Sequence, residues 1–143
     1  MIEIIYDLSV LEGSCYIEIL PDIYIGECWN TSSIFFTEDN FGYILPAIEK
    51  CYKKFDYFAF NEIEIEIWGQ INKELDKMKQ VLQSNPTPQS LKDTIGFLYV
   101  YSEKEFRDNY DINIKQLISM MTEFQTWIEE KSSTTKFISV LGI

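Results

Sequence analysis

Apolar and polar residues alternate along three early runs, MIEIIYDLSV, SCYIEIL and DIYIGECW, which are set apart by Glu12-Gly13 and by Pro21. Short runs rich in Ile and Tyr and bounded by turn residues predict strands. Their succession predicts a meander, with SSIFF at 32–36 as a fourth strand. In the second run Ile17 and Ile19 share one face and Glu18 takes the other, as in a sheet with one side packed and one side wet.

The period then changes. Phe41, Ile44, Leu45, Ile48, Cys51 and Tyr52 fall at helical spacing, with Thr37 or Asp39 as the N-cap, and predict a helix over 38–53. Pro46 argues for a start nearer Leu45, because an interior proline removes a backbone bond and costs roughly 3 kcal/mol. DYFAF, at 56–60, reads as a short aromatic strand.

NEIEIEIW, at 61–68, carries two patterns at once. Its Glu-Ile alternation suits a strand, yet Ile63, Ile67, Ile71, Leu75, Met78 and Leu82 continue as one helical stripe. With Asn61 as N-cap and Glu64 at the third helical position, the stretch has the form of a capping box, and the expectation is a helix from its start. SNPTPQ ends that helix as a loop. Leu91, Ile95, Leu98 and Phe106 follow at helix-like intervals, although GFLYVY also suits a buried strand. Asp111 is the expected cap of a helix running to Lys131, with Ile114, Leu117, Ile118, Met121, Phe124 and Ile128 on one face, and TKFISVLGI reads as a last strand. The expected fold is α+β, an N-terminal antiparallel sheet packed against several helices in a single domain over residues 1–143.

Composition agrees with a folded body, since 46% of residues are apolar and 15% aromatic. The net charge of -11 is unevenly spread: residues 1–49 hold nine acids and no base, whereas the rest holds 14 acids and 12 bases. Direct nucleic-acid binding is disfavoured, because neutralising phosphates takes Lys and Arg. A basic partner would be attracted.

Cys15, Cys28 and Cys51 form no CxxC pair and read as buried, reduced thiols. No signal-like leader and no apolar run of membrane-spanning length occurs, so a cytoplasmic protein is expected.

With no histidine, the chain lacks the commonest general base and the triads built on it. No phosphate-binding glycine loop and no nucleophile elbow is present. Glu38 with Asp39, and Glu64 with Glu66, are the carboxylate pairs, but acid–base catalysis needs two groups converging from environments that separate their pKa values. TEDNFGY also lacks the spacing of a calcium loop. Neither a cofactor nor a metal is expected. Tyr6, Tyr16, Tyr24, Trp29, Phe35 and Phe36 are interleaved with acids rather than bases, which favours packing over base stacking, with Trp29 nearest a rim.

The run FFTEDNFGYILPAIEKCYKKFDYFAFNEIEIEIWGQINKEL, at 35–75, resembles small bacterial immunity proteins of polymorphic and contact-dependent inhibition toxin systems. The likeness lies in a strand ending in an acidic turn, a helix leading to DYFAF, and a capped Glu-Ile opening that enters a tryptophan helix. Glu64 stands where those relatives carry proline. The resemblance implies a non-catalytic cytoplasmic protein that binds a cognate toxin C-terminal domain and blocks its active site or substrate surface. A nuclease with a basic cleft would suit the charge. Charge and turn position select Asp22, Glu27, Glu38 and Asp39 as first candidates for partner binding, Glu62 and Glu64 as second, and Trp29 as an apolar anchor. The competing expectation is a small acidic adaptor or scaffold, and an enzyme ranks third.

Overall fold

The computed structural model describes residues 1–142. Its strands are β1 (Tyr16–Leu20), β2 (Ile34–Thr37), β3 (Phe60–Glu64) and β4 (Phe137–Leu141), all antiparallel in one sheet of order β2-β1-β4-β3. Its helices are α1 (Glu38–Cys51), α2 (Ile65–Gln83), α3 (Pro88–Thr94), α4 (Val100–Asp108) and α5 (Tyr110–Ser132). The α+β class is therefore as the sequence predicts. The meander is not, because the C-terminal strand inserts between β1 and β3.

Alternation fixes which side of the sheet faces the helices. Ile17, Ile19, Ile34, Phe36, Ile63, Ile138 and Val140 point into one core with Trp68, Ile71, Leu75, Leu117, Met121 and Phe124 of α2 and α5. Helix α2 packs against both α1 and α5. The indole Nε1 of the fully buried Trp68 donates to the Ile138 carbonyl at 2.9 Å and pins α2 to β4.

Three predicted strands and one predicted helix start need correction. MIEIIYDLSV forms only an isolated bridge, Ile5 to Phe35. Ile2 and Ile4 are buried, and the Asp7 carboxylate then accepts from the Ser9 N–H at 2.9 Å and turns residues 8–10 into a 3-10 helix. DIYIGECW is a loop, since Gly26 and Trp29 take left-handed backbone (φ 97° and 64°) that no strand accommodates. DYFAF is a turn rather than a strand, entering β3 only at Phe60: the Asp56 carboxylate accepts from the Phe58 N–H, and the Asp56 carbonyl accepts from the Ala59 N–H. The fourth is NEIEIEIW, whose first half is strand and second half helix. Asn61 does not cap α2. Its amide instead donates to the carbonyls of Asp56 (2.8 Å) and Ala59 (3.1 Å), and its oxygen accepts from the Asp56 N–H. Glu64 occupies the N-cap position without a side-chain bond, and the Ile65 N–H donates to the Lys136 carbonyl.

Helix α1 begins where Thr37 caps it, its hydroxyl accepting from the Asn40 N–H, and it runs through Pro46. Proline leaves the Gly42 carbonyl without its usual donor. Gly96 packs directly on that carbonyl, closer than any Cβ permits, and its N–H donates to the Tyr43 carbonyl at 3.3 Å. The proline is tolerated because its defect faces a glycine of the α3–α4 connection, which is neither helix nor strand. Helix α5 starts at Tyr110, so Asp111 sits in its first turn instead of capping it. The final predicted strand is present as β4, and its predicted end at Ile143 lies outside the described residues.

Candidate protein-interaction surface

The sheet face turned away from the helices is covered by the loop over 21–33, which the carboxylate of Glu18 holds in place. Glu18 is only 2% exposed and accepts from the Trp29 N–H (2.6 Å), the Asn30 N–H (3.0 Å), Asn30 Nδ2 (2.9 Å) and the Ser33 hydroxyl (2.6 Å). The expectation of a wet outer face with Glu18 in water is thus overturned. A buried carboxylate must be matched by donors, and the loop wraps so as to supply them.

The rest of the loop follows the outward residues of the sheet. Ser139 donates its hydroxyl to the Asp22 carbonyl at 2.6 Å, the Tyr24 N–H donates to Glu62 at 2.9 Å, and the Tyr24 ring packs on Phe60. Trp29 stacks on Phe35 with ring centres 5.7 Å apart and meets Tyr16 edge-on. It is 39% exposed, so one part of the indole packs while the other faces solvent. The Asp22 and Glu27 side chains are exposed, and the Asp22 carboxylate accepts only from the N–H of the following residue. Glu64 is exposed at the start of α2.

Glu38 and Asp39 lie in a second cluster, at the first turn of α1. Glu38 accepts from the Tyr57 hydroxyl at 3.2 Å, and Asp39 accepts from the Ser102 hydroxyl at 2.6 Å. Ser102 in turn accepts from the Tyr99 N–H, which ties the start of α4 to the start of α1. Burial pushes the Tyr57 hydroxyl well above the ordinary tyrosine range, and the charge and hydrogen bond of Glu38 add to it. Tyr99 is raised chiefly by the Glu38 charge, and Tyr101 by desolvation and then Asp39. Tyr99 and Tyr101 stack nearly parallel at 5.2 Å. Asp39 also lines a cleft of about 500 Å³, with Asn40, Tyr43, Glu105 and Asp108 in its wall.

Sequence reasoning names Asp22, Glu27, Glu38 and Asp39 as one set, with Glu62, Glu64 and Trp29 beside it. The structure divides them, with Asp22, Glu27 and Trp29 on the loop over 21–33, Glu62 bonded to that loop, Glu38 and Asp39 at the start of α1 and Glu64 at the start of α2. Pattern alone does not show what builds each region. Glu18, Asn30 and Ser33 build the first, and Tyr57, Tyr99 and Ser102 the second. The readable signal for the former was a glutamate between Ile17 and Ile19 followed by a polar NTSS run.

Ion pairing separates the N-terminal third from the rest. Among the described residues there are six salt bridges, and every acid in them lies between Glu74 and Asp108. Glu18, Glu38, Asp39 and Glu62 are held by neutral donors. No group of three carboxylates or thiols converges closely enough to hold a metal ion among the described residues.

The thiols also differ from expectation. Cys15 and Cys28 are exposed and Cys51 is half-buried, all free, since the loop that carries Cys28 lies outside the core. Desolvation, with Glu18 second, pushes the Cys28 thiol up, and desolvation with Glu74 does so for Cys51. Both are thereby poor nucleophiles at neutral pH.

No helix among the described residues is long and apolar enough to cross a membrane. No family model, no curated protein and no solved structure matches this chain.

Proposed function

We propose that this protein is an immunity protein: it binds a cognate toxin domain with a basic functional surface, a nuclease in the reading that best suits the charge, and covers that surface in the cytoplasm. One observation carries the reading. Glu38, Asp39 and Glu62 are oriented by neutral hydrogen-bond donors and, among the described residues, no acid of the N-terminal third lies in a salt bridge, so this charge is not neutralised within the fold. Fixed, uncompensated carboxylates steer a basic partner toward the protein and pair with it on contact, whereas acids spent in internal ion pairs do neither.

Asp22, Glu27, Glu38, Asp39, Glu62 and Glu64 are the proposed pairing residues, and Trp29 the apolar anchor. The resemblance over residues 35–75 supports the toxin as the class of partner. Part of that likeness has weakened, because DYFAF is a turn and the Asn61 cap is absent. The acidic turn and the helix after it remain.

Co-expression with the toxin domain encoded immediately upstream tests the reading. A stoichiometric complex with loss of toxin activity is the expected result. An undiminished toxin and no complex would leave the acidic adaptor as the better description.

A further inference from the structure

An apolar ridge breaks the surface beside Glu38 and Asp39. Phe58 is 79% exposed, Val100 95%, Tyr101 52% and Tyr99 40%. Phe58 packs edge-on against Tyr57, whose hydroxyl donates to Glu38, so the turn over 56–59 and the start of α4 flank the same carboxylate. Ser102 donates its hydroxyl to Asp39 and accepts from the Tyr99 N–H, which holds the start of α4, with the stacked Tyr99 and Tyr101, against the first turn of α1. Leaving such side chains in water forgoes about 25 cal/mol for each Å² of apolar surface, and a cluster of them marks a surface suited to a partner.

We infer that this ridge is the seat of an arginine side chain from a partner protein, its guanidinium stacked on the Tyr99–Tyr101 pair and hydrogen-bonded to Glu38 and Asp39. The chemistry selects the occupant. The acids rimming the ridge disfavour a purely apolar partner, which would bury their charge unpaired. They also disfavour nucleic acid. A metal ion needs several convergent ligands, and no group of three or more is present among the described residues. A planar cation that stacks on aromatic faces and bonds carboxylates in a fork satisfies both halves of the site, and lysine satisfies only one. The bases of α4 do not fill it, since Arg107 pairs with Glu103 and Lys104 with Asp108.

This inference deepens the proposed function and rests on it for the identity of the partner, but its chemistry is testable without a toxin. The isotope-labelled full chain is titrated with short oligo-arginine and oligo-lysine peptides while amide shifts are followed. Expected are shifts centred on residues 37–39 and 98–103, tighter binding of the arginine peptide, and a loss of about fivefold or more on Tyr101→Ala. Tyr101 is exposed, and Tyr101→Leu serves as a second variant that keeps the apolar bulk without the ring face. Shifts spread evenly over the loop at 21–33 and the ridge, no binding, equal affinity for the two peptides, or no effect of either variant would overturn the inference. If the arginine peptide binds here while no toxin does, the ridge stands and the immunity reading falls. A toxin complex indifferent to both Tyr101 variants has the converse meaning.

Discussion

Glu18 and Trp29 are joined by a 2.6 Å hydrogen bond from the tryptophan backbone N–H to the carboxylate, across the outer face of β1. Trp29 holds a left-handed backbone there, unusual for a bulky residue. Three further donor atoms, from Asn30 and Ser33, converge on the same carboxylate and hold the loop against that conformational preference. Strain of this kind persists where its surroundings over-determine it.

Replacing Glu18 by alanine should therefore release the loop. Several buried donors lose their acceptor at once, each at about 1–3 kcal/mol if it stays dry. Water entry will relieve part of this, and a net loss of about 2–4 kcal/mol is expected in urea unfolding. Hydrogen exchange should speed up first at the Trp29 and Asn30 amides, ahead of β4. Unchanged protection at those amides would show that the loop does not depend on Glu18.

At Gly96 the decisive contact is backbone on backbone. A methyl group there would overlap the Gly42 carbonyl, and neither the helix nor Pro46 beside it can yield without breaking the seam between α1 and the α3–α4 connection. Gly96→Ala should cost about 1–3 kcal/mol, as overpacking in a tight core does. A variant as stable as the parent in urea would mean that the connection can shift away.

Legibility in the sequence followed the range of the interaction. β1, β4 and the apolar face of α5 rest on local pattern and are legible in it, as is Thr37 as one of two candidate caps of α1. Asn61 was misread because a capping box and a strand residue with a side-chain-bonded turn look alike until the turn over 56–59 is seen to claim its amide. The loop over 21–33 looked like a strand because Ile and Tyr alternate in it, while its conformation is set by Glu18, 11 residues before Trp29. The acid bias that nominated Asp22, Glu27, Glu38 and Asp39 was visible in composition. The tyrosines beside Glu38 were not, because they come from segments 19 and more residues away and meet it only through the fold.

Alkaline pH should expose the buried tyrosines. Tyr43 is raised from 10.0 to about 12, by burial first and then by the charges of Asp39 and Glu105. Between those values the unfolded chain has lost the phenolic proton and the folded chain keeps it, so the unfolded state binds fewer protons and stability falls as pH rises. The contribution is complete below the unfolded value of 10.0 and gone above about 12. Tyr57 acts in the same direction. Urea midpoints taken between about pH 9 and about pH 11.5 should decline, and Tyr43→Phe should make the decline shallower. Equal slopes for the two proteins would mean that Tyr43 ionises as freely folded as unfolded.

Charge reversal separates the two acidic regions as partner sites. Glu38→Lys with Asp39→Lys replaces two carboxylates that the α1 N-terminus favours by two cations that it disfavours, at about 0.3–1 kcal/mol each. It also removes the acceptors of the Tyr57 and buried Ser102 hydroxyls, at about 1–3 kcal/mol more, which a domain of this size should survive. Circular dichroism and melting would verify this before binding is measured. Against a toxin domain bearing a basic surface, the double variant should associate at least about tenfold more slowly at low ionic strength, and the gap should close as salt rises from about 50 mM to about 500 mM. Asp22→Lys with Glu27→Lys alters the same net charge on the loop over 21–33. An equal loss from both pairs would point to long-range steering alone. A larger loss from the α1 pair, with faster dissociation that salt does not abolish, would place Glu38 and Asp39 in direct contact with the partner, because rim charges act on association whereas contacting pairs act on residence time.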